Sequence, residues 1–165
     1  MRARAFALMI EAETRALLTH FYDAFARRDG AAMAALYDSQ ATFEDPVFRL
    51  RGGEIGKMWI ALTRRAQQFG ISYAITRADA GGGTVEWTAR YLFAGRRPVV
   101  NVVASDLAVD NGRIVRHRDR FDFARWSAQA LGLPGRLFGR FAWFQRFVSR
   151  RLARRLDLSL APPPV

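Results

Sequence analysis

The chain has 165 residues, half of them hydrophobic, which fits one domain with a sizeable core. It has no cysteine, so disulfides, thiolate nucleophiles and cysteine-based metal sites are excluded, and two distant histidines argue no metal site either. The formal charge of +11 rests almost wholly on arginine, with seven arginines between residues 136 and 155, and no recognition motif accompanies it, so nucleic acid is not the expected partner.

Met1 to Ile10 begin like a signal peptide, but Glu11 and Glu13 cut the apolar run short, and a cytoplasmic protein is expected. From Ile10 to Arg28, Leu17, Phe21, Ala24 and Phe25 recur at helical spacing, predicting an amphipathic helix stopped by Asp29-Gly30. A short helix is predicted over Ala31 to Tyr37. Thr42 to Phe48 then reads as a strand with Phe43, Asp45 and Val47 on one face, which sets a carboxylate between apolar neighbours. Pro46 biases Asp45 towards extended backbone and removes a donor, as at an edge or bulge. Arg51-Gly52-Gly53 leads into a third helix, Glu54 to Phe69, with Met58, Trp59 and Leu62 inward.

After Gly70 the period changes to two. Ile71, Tyr73 and Ile75 share one side of a strand that ends at Asp79-Ala80-Gly81-Gly82-Gly83. From Thr84 to Ala94, Val85, Trp87, Ala89, Tyr91 and Phe93 make one apolar face. Gly95-Arg96-Arg97 turns the chain into Pro98 to Val109, which carries Asn101, and Asp110-Asn111-Gly112 is a strong hairpin signal. In Arg113 to Phe123 the alternation puts Val115, His117, Asp119, Phe121 and Phe123 on one face and Arg116, Arg118, Arg120 and Asp122 on the other. Ionisable groups in such apolar company usually have perturbed proton affinities, so His117 and Asp119 join Asp45 as candidates for acid/base work.

Beyond residue 123, a short helix over Ala124 to Gly132 and a longer one over Arg136 to Leu156 are predicted. Leu137, Phe141, Phe144, Val148 and Leu152 form one apolar stripe of the longer helix, with arginines beside it. A lid over the rest of the fold or a dimer contact is the favoured reading, and an anionic membrane surface is the alternative. The expected organisation is a domain over residues 1–126, a helical extension over 127–157, and a disordered tail over 158–165.

The run Leu36-Tyr37-Asp38-Ser39-Gln40-Ala41-Thr42-Phe43-Glu44-Asp45-Pro46, followed by Arg51-Gly52-Gly53 opening a helix, resembles the nuclear transport factor 2-like superfamily. That superfamily includes ketosteroid isomerases, SnoaL-like polyketide cyclases and limonene epoxide hydrolases. The resemblance covers roughly residues 10 to 126 and implies an α+β cone: a curved, mainly antiparallel sheet with N-terminal helices, here with the C-terminal helical extension. It also implies a homodimer. Asp45 matches the general base of ketosteroid isomerases, enzymes whose apolar site tunes the proton affinity of its carboxyl groups, and Tyr37 matches a supporting tyrosine. The isomerases' oxyanion tyrosine falls on Phe21 and their oxyanion aspartic acid near Ala104, so neither donor is present. His117-Arg118-Asp119-Arg120-Phe121-Asp122 is similar to an epoxide hydrolase motif in which the residue matching Asp119 works in acid/base chemistry. Their Arg-x-Asp pair, however, is replaced by the stretch Trp87 to Ala89.

The resulting expectation is an apolar pocket lined by Tyr37, Trp59, Trp87, Tyr91, Phe93, Asn101 and Phe121, with Asp45, His117 and Asp119 as catalytic candidates and no cofactor or metal. It would hold a small apolar ligand. The protein is then a cofactor-independent isomerase, cyclase or epoxide hydrolase, or a non-catalytic binder of a lipid- or polyketide-like molecule. The structural alternatives are an Asp45 that only accepts backbone hydrogen bonds in a turn and a His117–Asp119 pair that only satisfies itself.

Overall fold

The computed structural model describes residues 2–162, with side chains from residue 7 onward. Two helices lead the chain, α1 (Arg2–Ala26) and α2 (Gly30–Ala35), followed by β1 (Tyr37–Glu44), β2 (Arg49–Arg51) and α3 (Gly53–Arg65). Three long strands and a shorter one come next: β3 (Gln67–Asp79), β4 (Gly82–Phe93), β5 (Arg97–Asp110) and β6 (Arg113–Arg120). The chain closes with α4 (Phe123–Leu131), α5 (Leu133–Phe138) and α6 (Ala142–Leu156). The six strands form one sheet in the order β2-β1-β6-β5-β4-β3, antiparallel throughout except where β1 runs parallel to β6. This is the α+β architecture implied by the sequence.

Local chemistry explains the joints. Arg28 has φ 59°, ending the first helical segment in the left-handed region, and the Asp29 side chain accepts from the Ala32 N–H to cap α2. Asp29→Ala should therefore cost about 1 kcal/mol in urea unfolding. Asn111 (φ 48°) and Gly112 (φ 71°) both take positive φ, the requirement of the type I′ turn that joins β5 to β6. Gly82 opens β4 at φ 139°, and a Cβ there would lie 1.9 Å from the Leu107 carbonyl oxygen, so β4 and β5 close on each other only over glycine.

The core fills the concave side of the sheet. Leu18, Phe21 and Tyr22 of α1, Ile55 and Met58 of α3, and Val85 and Leu107 of the sheet are all essentially inaccessible. Along β5 the inward positions are Val99, Asn101, Val103, Ser105 and Leu107, and along β6 they are His117 and Asp119, with Arg116, Arg118 and Arg120 exposed. A register shift between Ala108 and Val109 makes Ile114 the buried residue at the start of β6, ahead of Val115.

Three sequence expectations need correction. The strand predicted over 42–48 ends at Glu44, so Asp45 is not inside a strand but opens the turn between β1 and β2, where its N–H donates to the Phe48 carbonyl at 2.9 Å. Pro46 cannot donate to a ladder, and the Asp45 carboxylate supplies acceptors that a ladder otherwise would. Helix α3 stops at Arg65, and residues 67–69 join β3, which Gln68 bends at φ 48°. The helix predicted over 136–156 is two helices, because Phe141 is extended (φ −93°, ψ 131°) and Gly139 approaches Ser127 too closely for a side chain. Leu137 and Phe141 are consequently exposed, while Phe144 and Val148 are buried.

Helix α6 folds back on the β1–β2 turn. The Gln145 amide donates to the Pro46 carbonyl at 2.6 Å, and the Ser149 hydroxyl donates to the Val47 carbonyl. Past the helix, the Ser159 N–H donates to Glu54 and the Ala161 N–H to the Arg49 carbonyl, both at 2.7 Å. Residues 163–165 of the predicted tail lie outside the described residues.

Candidate functional site

A cavity of about 740 Å³ opens between the concave face of the sheet, α3 and α6. Eight of the ten side chains singled out in the sequence line it: Asp45, Trp59, Trp87, Tyr91, Phe93, Asn101, Asp119 and Phe121. Tyr37 and His117 do not. They lie behind Trp59 and Asp119, with 7% and 1% of their surface exposed.

These two belong to a hydrogen-bonded chain that crosses the core. The Trp59 indole N–H donates to the Tyr37 hydroxyl (3.0 Å), which meets His117 Nδ1 (2.6 Å), and His117 Nε2 meets Asp119 Oδ1 (2.9 Å). The same Oδ1 accepts from the Ser105 hydroxyl, which accepts from the Trp87 indole N–H at 2.7 Å. With its hydrogen on Nε2, the imidazole donates to Asp119 and its Nδ1 accepts from the Tyr37 hydroxyl. Phe21 and Phe43 stand edge-on to the imidazole at 5.5 and 5.2 Å and seal it from water. His117 therefore holds Asp119 in place, and Asp119 alone of the pair faces the cavity. Its Oδ2 has no hydrogen-bond partner among the described residues.

Asp45 is half-buried in the wall of the same cavity. Its Oδ1 accepts the backbone N–H groups of Val47 (2.6 Å) and Phe48, which leaves Oδ2 free. Burial and the Asp119 charge outweigh those two bonds and push the carboxyl from its ordinary 3.8 up to about 7. The two cavity carboxylates thus differ in kind: one is fixed by donors, the other is poised to exchange a proton near neutrality.

Tyr91 adds a phenol to the polar groups of the cavity wall. The Trp126 indole N–H donates to its hydroxyl at 2.9 Å, which fixes the phenol and leaves its own hydrogen available to a ligand. Burial raises the phenol's proton affinity, and the Asp45 charge adds to it. Tyr91→Phe should cost about 1–2 kcal/mol of stability, because only the indole loses a partner, yet weaken an oxygen-bearing ligand about tenfold in calorimetry. Exposed Arg64, Arg65 and Arg155 stand among the outer lining residues, with Leu152 and Leu156 of α6.

Ser105 and Trp126 are not among the expected site residues, while Leu152 belongs to the apolar stripe of the expected C-terminal helix. The alternation Val99 to Leu107 contains the signal for Ser105, since it turns that hydroxyl inward and Ala104 outward. Ala104, near which the isomerases' oxyanion aspartic acid falls, thus faces away, and its inward neighbour Ser105 is hydrogen-bonded to Trp87 and Asp119. Nothing local marks Trp126, which reaches Tyr91 from a helix 35 positions away. Tyr22, on α1, buries its hydroxyl without a hydrogen-bond partner among the described residues. Among the described residues no group of three or more His, Cys, Asp or Glu could hold a metal.

Comparison with known proteins places this geometry. The profile of the SnoaL-like domain matches residues 18–117. No curated protein matches the chain. Among solved structures, a candidate polyketide cyclase of Xanthomonas campestris pv. campestris superimposes with a TM-score of 0.64 at 17% identity, over 73% of this chain and 98% of that one. An LEH-like epoxide hydrolase of M. tuberculosis gives 0.54 at 29% identity, over 77% and 96% of the two chains. A protein with a ketosteroid isomerase-like fold from Catenulispora acidiphila DSM 44928, in complex with trimethylamine, gives 0.56 at 21%, over 73% and 95%.

Proposed function

The chain belongs to the SnoaL-like domain family, and from that premise we propose that it is a cofactor-independent acid/base enzyme acting on a small, largely apolar carbonyl compound. The observation that carries this reading is the Asp45 carboxyl, held at about 7 in the wall of an aromatic cavity that it shares with the Tyr91 hydroxyl. Asp45 Oδ2 takes the proton from the carbon beside the carbonyl. The C–H electron pair moves to the carbonyl oxygen, which accepts a hydrogen bond from Tyr91. The proton returns at another position in an isomerisation, or the enolate carbon attacks a second carbonyl in a ring closure. Asp119, fixed by its donors, contributes the charge that helps to keep Asp45 basic. The arginines at the outer edge favour a substrate with an acidic group at one end.

The 29% identity to an epoxide hydrolase favours one alternative. There Asp119 Oδ2 would accept a proton from water as the water oxygen bonds to an epoxide carbon. The ring C–O bond at that carbon would break, and protonated Asp45 would give its proton to the leaving oxygen, yielding a diol. A third reading, a binding protein for a lipid- or polyketide-like ligand, uses the cavity and needs neither proton.

The test begins with native mass spectrometry of protein from its own host, to identify any molecule carried in the cavity. Cyclic ketones and terpenoid epoxides are then incubated with the protein in deuterium oxide. Deuterium at the carbon beside the carbonyl, at a rate that rises with pH through about 7 and then levels, is the expected result. Diol formation without exchange would replace it with the hydrolase reading. Tight binding with neither reaction would leave a binding protein.

A further inference from the structure

We propose that the tip formed by α5 and the start of α6 docks the protein on anionic phospholipid membranes. Between residues 123 and 156 the chain carries eight arginines and no aspartate or glutamate. At the tip, Leu133, Leu137, Phe138, Phe141, Trp143 and Phe147 are 40% to 66% exposed. So many exposed large apolar side chains between residues 133 and 147 are of a kind monomeric proteins seldom leave without a purpose. The cluster is also pre-formed: the Trp143 ring lies 5.5 Å from Phe138 and 6.4 Å from Phe141, stacked on the latter. Buried Gly135, Phe144 and Val148 fix the tip to the body, so the aromatic cluster projects from a packed base.

The charge selects the occupant. A two-fold contact between copies of this surface would set arginines against arginines. Lipid phosphates instead complement them, with the Phe, Trp and Leu side chains entering the acyl boundary. Exposed Arg118, Arg120 and Arg146 add to this from a groove of about 460 Å³ alongside α6, whose wall also holds Asp45, Asp119 and Glu44, the last paired with Arg49 at 3.2 Å. Among the described residues no helix is long and apolar enough to cross a membrane, so the protein would lie on the surface. Helix α6 runs from the tip to the cavity, where Leu152 and Leu156 line the wall. A docked molecule would keep its cavity within about 22 Å of the bilayer, the length of that helix.

The experiment is co-sedimentation of the full chain with vesicles of equal phosphatidylglycerol and phosphatidylcholine, and with pure phosphatidylcholine. Partitioning at least about tenfold stronger on the anionic vesicles, weakened by salt, is expected. Trp143 is the exposed tryptophan, while Trp59, Trp87 and Trp126 are buried, so a blue shift that is lost in Trp143→Phe reports the tip itself. The triple substitution Phe141→Ser, Trp143→Ser, Phe147→Ser changes exposed positions only; circular dichroism should show the fold kept, with binding reduced about tenfold or more. Arg140→Glu with Arg146→Glu should act similarly. The proposal is overturned if the protein stays in the supernatant with both vesicles. It is overturned equally if these substitutions instead dissolve a dimer in light scattering, or abolish binding to a generic RNA, while vesicle binding is absent.

Discussion

Asp119→Ala is expected to lower folding stability by about 3–5 kcal/mol in urea unfolding. The residue is 5% exposed, and its Oδ1 is the acceptor on which His117 and Ser105 converge. Without it the imidazole N–H and the serine hydroxyl keep their burial but lose their partner, and each such orphan costs roughly 1–3 kcal/mol. Tyr37 and Trp59 would feel the change too, since their bonds depend on the His117 tautomer. Ser105→Ala should cost far less, about 1–2 kcal/mol, because Asp119 retains His117 and only the Trp87 N–H is left without its acceptor. A loss below about 1 kcal/mol in Asp119→Ala would mean that the carboxylate is solvated from the cavity and anchors nothing.

Asp45→Asn should separate chemistry from stability. The amide cannot take a proton from carbon, so exchange in deuterium oxide should fall by about 10²–10⁴-fold. Asparagine Oδ1 still accepts from Val47 and Phe48, so the turn survives. Stability should even improve at high pH. The native carboxyl titrates at about 7 against 3.8 when ordinary, so the folded state holds the extra proton between those values and loses stability as pH rises through that window. At pH 8 the variant should be more stable by at most about 4 kcal/mol, from 1.36 kcal/mol per pH unit, and by nearer 2 because water reaches the cavity. At pH 3.5 the two proteins should unfold alike. Asp45→Ala, by contrast, strands two backbone donors and should destabilise by about 1–3 kcal/mol at pH 3.5, a cost that shrinks or vanishes at pH 8 because this variant too is rid of the buried charge. An Asp45→Asn variant that keeps full exchange activity would remove Asp45 from the chemistry.

The sequence alone was enough for the elements whose patterns are long and self-consistent. The alternation of Val85, Trp87 and Ala89 in β4, and of His117 and Asp119 with the exposed arginines in β6, needs no tertiary information, because a pleat turns every second residue the same way. Asn111-Gly112 dictates its turn through two positive φ angles. Patterns failed where backbone conformation answers to a neighbour. Asp45 leaves its strand because its own carboxylate competes for the backbone, and α5 parts from α6 because Gly139 must pass close to Ser127.

For the site, residue types and faces were legible in the chain, and relations between elements were not. That Asp45, Asp119 and the aromatic residues turn inward follows from periodicity within single segments. Which of them share the cavity was decided by the closure of the sheet over α1 and α3. That closure put Trp59 and Tyr37 against His117, withdrew the imidazole from the cavity and fixed Asp119 at its wall. It also brought Trp126 behind Tyr91, making a donor of a residue that reads in sequence as one more aromatic. A proton affinity depends on burial and on charges a few ångströms away, and both arise only when distant segments meet. The arginines and aromatic residues of the C-terminal helices were plain in the sequence. Their division into a buried face and an exposed tip came from packing, since Phe144 and Val148 found the body of the fold and Phe141, Trp143 and Phe147 did not.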